Sequence, residues 1–86
     1  MTTSYAVFLK PRAERDLDRL PVAVARRIWQ RLVTLGADPR PSAATKLEGS
    51  DAYRLRIGDY RAVYLVDDRQ RKVEIIRVAH RREVYR

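Results

Sequence analysis

Cysteine is absent from these 86 residues, and histidine occurs once, at His80. Disulfide cross-links and thiolate metal sites are thereby excluded, and a lone imidazole does not assemble a zinc centre, so an activity without metal or cofactor is expected. Long apolar runs are missing too. No stretch approaches the length needed to cross a bilayer, and the N-terminus has no basic region followed by an apolar run and a small-residue cleavage site. A cytoplasmic protein with no membrane partner is the expectation. Internal repeats and low-complexity tracts are also lacking. Acidic residues are few, 11 against 19 Lys and Arg, which leaves a formal charge of +8 and a pI near 10.6.

What is present fits one small folded domain spanning 1–86. Hydrophobic residues make up 45% and charged residues 35%, enough aliphatic content to build one core. A field of this sign on so small a body attracts polyanions. The kind of cation narrows the partner further. Sixteen of the basic residues are Arg and only Lys10, Lys46 and Lys72 are Lys; a guanidinium grips phosphate bidentately and stacks on bases, which an ammonium does not. The competing reading is a solvated surface with no specific partner.

Along the chain, Tyr5, Val7 and Leu9 alternate in a β-prone run that Pro11 ends. Pro11 suits the first turn of a helix, in which Ala13, Leu17 and Leu20 recur at helical spacing. Pro21 breaks that helix and starts another, with Ala25, Ile28, Leu32 and Leu35 as its apolar stripe, Val22 and Trp29 on the border of that stripe, Trp29 expected in the core, and Gly36 as a C-terminal cap. Residues 37–51 read as a loop anchored by Leu47. From Tyr53 the period becomes two, with Tyr53, Leu55 and Ile57 on one face, Arg54 and Arg56 on the other, and a Gly58-Asp59 hairpin pair. The runs from Tyr60 to Val66 and from Lys72 to Ala79 read as central strands joined by the polar turn Asp67 to Arg71. The expected class is α+β in the order β-α-α-β-β-β, a helical hairpin on one face of a mainly antiparallel four-stranded sheet. The other face is left to the arginines.

From Tyr53 onward, ten basic residues and five acids are interleaved with Tyr53, Tyr60, Tyr64 and Tyr85. Guanidinium groups mixed with aromatic rings suit single-stranded RNA, whose phosphates take the charge and whose unstacked bases take the rings. The bland alternative makes these tyrosines half-buried strand residues. The run from Tyr53 to Tyr64, an acidic turn, and then Val78-Ala79-His80-Arg81-Arg82-Glu83-Val84-Tyr85-Arg86 resembles the RelE group of the RelE/ParE toxins. The first strand, the two helices with their proline break and Lys46-Leu47 extend the resemblance over nearly the whole chain.

That resemblance implies an endoribonuclease that enters the ribosomal A site, cuts the mRNA codon there and is held inactive by a RelB-like antitoxin. The toxin is then a monomer inside a hetero-oligomeric complex. It also assigns residues. Arg54 and Arg56 stand where the family often has two catalytic lysines, Arg61 matches the arginine that opens the next strand, His80 or Arg81 matches a further catalytic basic residue, and Tyr85 matches the near-terminal tyrosine that stacks on the substrate base. RNA carries its own nucleophile in the 2′-hydroxyl, so alignment, a proton acceptor, a proton donor and cations suffice. Arginine cannot serve as the base, since its pKa stays above ~12. Proton transfer therefore falls to His80, with an ordinary pKa of ~6.5, or to Tyr85 if the arginines favour its phenolate. Two other functions stay open: a ParE-type poison of DNA gyrase, and a noncatalytic nucleic-acid-binding or inactive toxin module.

Overall fold

The computed structural model describes residues 4–84. Strand β1 (Ala6–Leu9) leads into helix α1 (Pro11–Asp18), helix α2 (Val22–Val33) and a 3-10 turn (Thr34–Gly36). Strands β2 (Ala44–Lys46), β3 (Tyr53–Ile57), β4 (Tyr60–Asp67) and β5 (Lys72–His80) follow, then a single helical turn, α3 (Arg81–Val84). The sheet order is β1-β5-β4-β3-β2, with β1 parallel to β5 and the other pairs antiparallel. The α+β class and the mainly antiparallel sheet hold, with one correction: five strands stand where four were expected. The additional strand is β2, inside the stretch read as a loop. Its three residues carry no alternation to reveal them, and they become a strand by pairing Ala44 with Leu55 and Lys46 with Tyr53.

Local chemistry explains the helices. Pro11 occupies the first turn of α1, where its missing N–H has no partner to lose, and Glu14 N–H donates to Lys10 O at 2.9 Å. The chain stops being helical before Pro21, which then precedes α2 and accepts Ala25 N–H at 2.9 Å. Ala13 and Leu17 of α1 and Ile28 and Leu32 of α2 are buried against Leu55, Ile57, Ala62, Tyr64, Val73, Ile75 and Val78 of the sheet. Each fully buried Leu or Ile contributes about 1.5–3 kcal/mol of transfer free energy. Trp29 is not core: it is 37% exposed and lines an open groove with Leu9, Leu17 and Leu20. Gly36 is likewise not a left-handed cap, since among the described residues the glycines with positive φ are Gly49 and Gly58. It closes the 3-10 turn against β1, where an added Cβ would lie 2.8 Å from Tyr5 O.

A β-bulge decides which side chains share a face. Val63 pairs with Arg77 but the next residue, Tyr64, pairs with Ile75, so Ile76 is an extra residue in β5. The bulge reverses the parity of the strand. Val73 and Ile75 point to the helices before it, and Val78 does so after it, where unbroken alternation would have sent Arg77.

Candidate functional site

The face of β3, β4 and β5 turned away from α1 and α2 carries arginines in two cross-strand rows. Arg54, Val63 and Arg77 form one, and Arg56, Arg61 and Ala79 the other. Arg56 is exposed and lies directly opposite Arg61. Like charges in opposed positions cost stability, so the pairing suits an anion placed over both. Arg61 is only 6% exposed, and its Nη1 donates to Gly58 O at 3.2 Å and to Tyr60 O at 3.0 Å. These bonds tie it to the β3–β4 hairpin, whose two-residue loop has its positive φ, 60°, at Gly58. Arg54 and Arg77 are half-buried.

Arg77 was missed in the sequence, where it stands alone between Ile76 and Val78 in a run apolar on both sides. The Ile75-Ile76 doublet was the available signal, because an additional apolar residue there accommodates the bulge. Arg81 is exposed at the start of α3, and its backbone N–H donates to Asp59 O at 2.8 Å, holding the end of β5 beside the hairpin. His80 stands on the other face. It pairs with Tyr60, whose ring meets the imidazole edge-on at 5.5 Å and 78°, and it lines a cavity with Asp16 and Arg19 of α1. The structure therefore brings Arg54, Arg56 and Arg61 together, adds Arg77, sets Arg81 at the rim and puts His80 behind the sheet. Tyr85 lies outside the described residues.

A second cluster fixes the far end of the same strands. Arg40 donates to both carboxylate oxygens of Asp68, at 3.1 and 2.8 Å, and to Tyr53 Oη at 3.0 Å, while Tyr5 Oη donates to Asp68 at 2.7 Å. The bonds from Arg40 and then Tyr5 hold the Asp68 carboxyl below its usual range, and the same carboxylate raises the pKa values of Arg40 and Tyr5. Tyr53 stacks on Tyr64 at 5.7 Å. Burial first, and the neighbouring Tyr53 second, push the Tyr64 phenol up to about 12, and its hydroxyl donates to Pro39 O at 2.8 Å. This end is a structural latch that pins the α2–β2 loop to the sheet. Among the described residues no cluster of His, Asp and Glu stands ready to hold a metal ion, and no helix is long and apolar enough to cross a membrane.

Known proteins share this fold. The family model described as the ParE toxin of type II toxin-antitoxin system, parDE, matches residues 7–85. Toxin RelE of Mycobacterium tuberculosis is 34% identical over 84 residues, covering 95% of this chain and 87% of its own length. Toxin RelG of the same organism is 32% identical over 84 residues, covering 95% and 97%. Among solved structures, the RelBE toxin-antitoxin complex of Mycobacterium tuberculosis superposes with a TM-score of 0.83 at 29% identity, over 93% of this chain and 94% of that one. With the family matched from β1 to the penultimate residue and the same β-sheet and helical hairpin in that complex, the chain belongs to the RelE/ParE family of type II toxin-antitoxin toxins.

Proposed function

We propose that this toxin is a ribosome-dependent endoribonuclease of the RelE branch, cutting mRNA in the A site of cytoplasmic ribosomes without a metal ion. The observation that carries the reading is the register placing Arg54, Arg56, Arg61 and Arg77 on the sheet face opposite α1 and α2, with Arg81 at its rim. Identity of 34% and 32% to two toxins named RelE and RelG supports this branch. In the reaction the RNA 2′-oxygen attacks phosphorus and forms the O2′–P bond while the P–O5′ bond breaks. The 2′ proton leaves to a base and the 5′ oxygen takes a proton. Arg56 and Arg81, both exposed, meet the phosphoryl oxygens, whose charge grows in the transition state. Arg61 adds positive charge from beneath and stiffens the hairpin that presents Arg56. Proton transfer at the scissile bond falls to Tyr85, since His80 opens to the opposite side of the sheet.

A RelB-like antitoxin is the partner in this reading, an acidic or amphipathic segment covering the basic face and holding a single toxin protomer in a hetero-oligomer. Solved RelB–RelE complexes among its structural relatives support it. Induction of the chain without its antitoxin, with primer-extension mapping of transcripts beside a ribosome-free control, tests the whole proposal. Cuts inside codons that need ribosomes, and that fall at least tenfold in Arg56→Ala at equal folded protein, are expected. Intact transcripts with DNA-damage signalling would instead establish the gyrase-poison reading, which the ParE family model keeps as the second one. A chain harmless without its antitoxin would identify a noncatalytic module.

A further inference from the structure

We propose that His80 is a positioning residue that clamps the terminal turn carrying Arg81, and that it is not the proton carrier of the reaction. The functional half of this rests on the ribonuclease reading; the structural half stands independently. After the bulge, Ala79 and Arg77 face the arginine side while Val78 and His80 face the helices, so a backbone layer separates the imidazole from Arg61. What surrounds the imidazole there is the Tyr60 ring, edge-on at 5.5 Å, together with Asp16, Arg19 and Leu20 around the shared cavity. Asp16 is engaged elsewhere. One of its oxygens accepts Val78 N–H at 2.9 Å and the other accepts Arg12 Nε at 3.3 Å, which fastens α1 to β5.

The imidazole itself is turned toward the chain that follows. Its Nδ1 accepts the backbone N–H of Arg82 at 3.4 Å, long but within bonding range, while Arg81 N–H donates to Asp59 O at 2.8 Å. The first N–H groups of any helical turn have no partner within it. Here those of Arg81 and Arg82 are met from outside, one by the hairpin and one by His80, which acts as an N-cap side chain does. Tyr60 fixes the ring plane, the ring fixes Arg82 N–H, and the turn is held where Arg81 sits beside the hairpin bearing Arg56 and Arg61. A capping acceptor at Nδ1 needs no proton on that nitrogen, and a carboxamide supplies the same function from the same position. The Oδ1 of Asn occupies the place of Nδ1, one bond from Cγ, whereas Gln places its polar group farther out, as Nε2 does.

Three variants of the full chain, His80→Ala, His80→Asn and His80→Gln, separate the roles through two measurements. The first is hydrogen exchange at the Arg82 amide in the isolated toxin, read by nuclear magnetic resonance. The second is single-turnover mRNA cleavage on ribosomes as a function of pH. Arg82 exchange is expected to rise roughly fivefold or more in the Ala and Gln variants and to stay near wild type in the Asn variant. Cleavage is expected within about threefold of wild type for Asn, with an unchanged pH profile, and at least tenfold slower for Ala and Gln. An Asn variant as slow as Ala, with one limb of the pH profile gone, makes His80 the proton carrier and overturns the proposal; so does Arg82 exchange that no substitution alters. If the wild-type chain cuts no RNA, the ribonuclease reading falls and the Arg82 amide alone decides whether the clamp exists.

Discussion

Arg56 is exposed yet opposed to a buried cation, a placement that folding by itself disfavours. Replacing it with Thr, a good strand former, removes the like-charge pair and is expected to raise stability by about 0.2–1 kcal/mol. The same substitution should abolish most cleavage. Urea denaturation beside a cleavage assay checks both, and a variant that loses activity by unfolding would show the opposite stability change. At the latch, Asp68 has a lowered pKa in the folded chain, so its contribution is present above the ordinary carboxylate value of ~4 and is lost as pH falls through the lowered one. Asp68→Asn should therefore flatten the acid limb of the stability curve, measured by thermal melts from neutral to acid pH. Tyr64 works in the opposite sense. Its pKa, raised to about 12, means its contribution is whole below the ordinary tyrosine value of ~10 and lost as pH climbs through about 12. Tyr64→Phe leaves Pro39 O without that donor, and a loss of about 1 kcal/mol together with a flatter alkaline limb is expected in the same melts.

Elements here are held by close backbone approach as well as by apolar stripes. Tyr5 N–H donates to Gly36 O at 2.7 Å, which brings the 3-10 turn against the strand that opens the chain. Gly36→Ala would push a methyl group into Tyr5 O, a backbone atom that cannot rotate away, and is expected to cost about 1–3 kcal/mol in denaturant unfolding. A loss under a few tenths would mean that β1 shifts freely. The two helices and strand β3 were legible because their periods, 3.6 and 2, run unbroken between Pro11, Pro21 and Gly58, and β4 because an apolar run on both faces is bounded by turn residues at each end. Strand β2 was not, since pairing with β3 and not side-chain pattern makes it a strand. Trp29 was misplaced for a related reason: a stripe's border residue is core or surface according to where the neighbouring sheet ends.

For the whole molecule, with a charge of +8, the proposed binding to RNA is expected to depend strongly on salt through release of condensed counterions. Each phosphate contact removed from a single strand should reduce the slope of log K against log salt by about 0.7. Binding of a labelled RNA oligonucleotide over a salt series is expected to show that decrement for Arg56→Ala. Arg26→Ala, exposed on α2 beside the groove with α1 and away from the hairpin, should leave the slope unchanged. Equal decrements from both would mean that the charge acts as a diffuse field without a binding face.

Composition and period alone determined that this chain is small, basic, metal-ligand-poor and α+β, because those properties depend on residue type and on local repeats that a reader can count. Period also put Arg54 and Arg56 on one strand face, and the resemblance to the RelE group added Arg61 as a candidate on the next strand. Which arginines join them depended on a single bulged residue. Ile76 reverses the parity of β5, carries Arg77 to the basic face and turns His80 toward the helices, and a register shift of this kind exists only in the pairing of one strand with another.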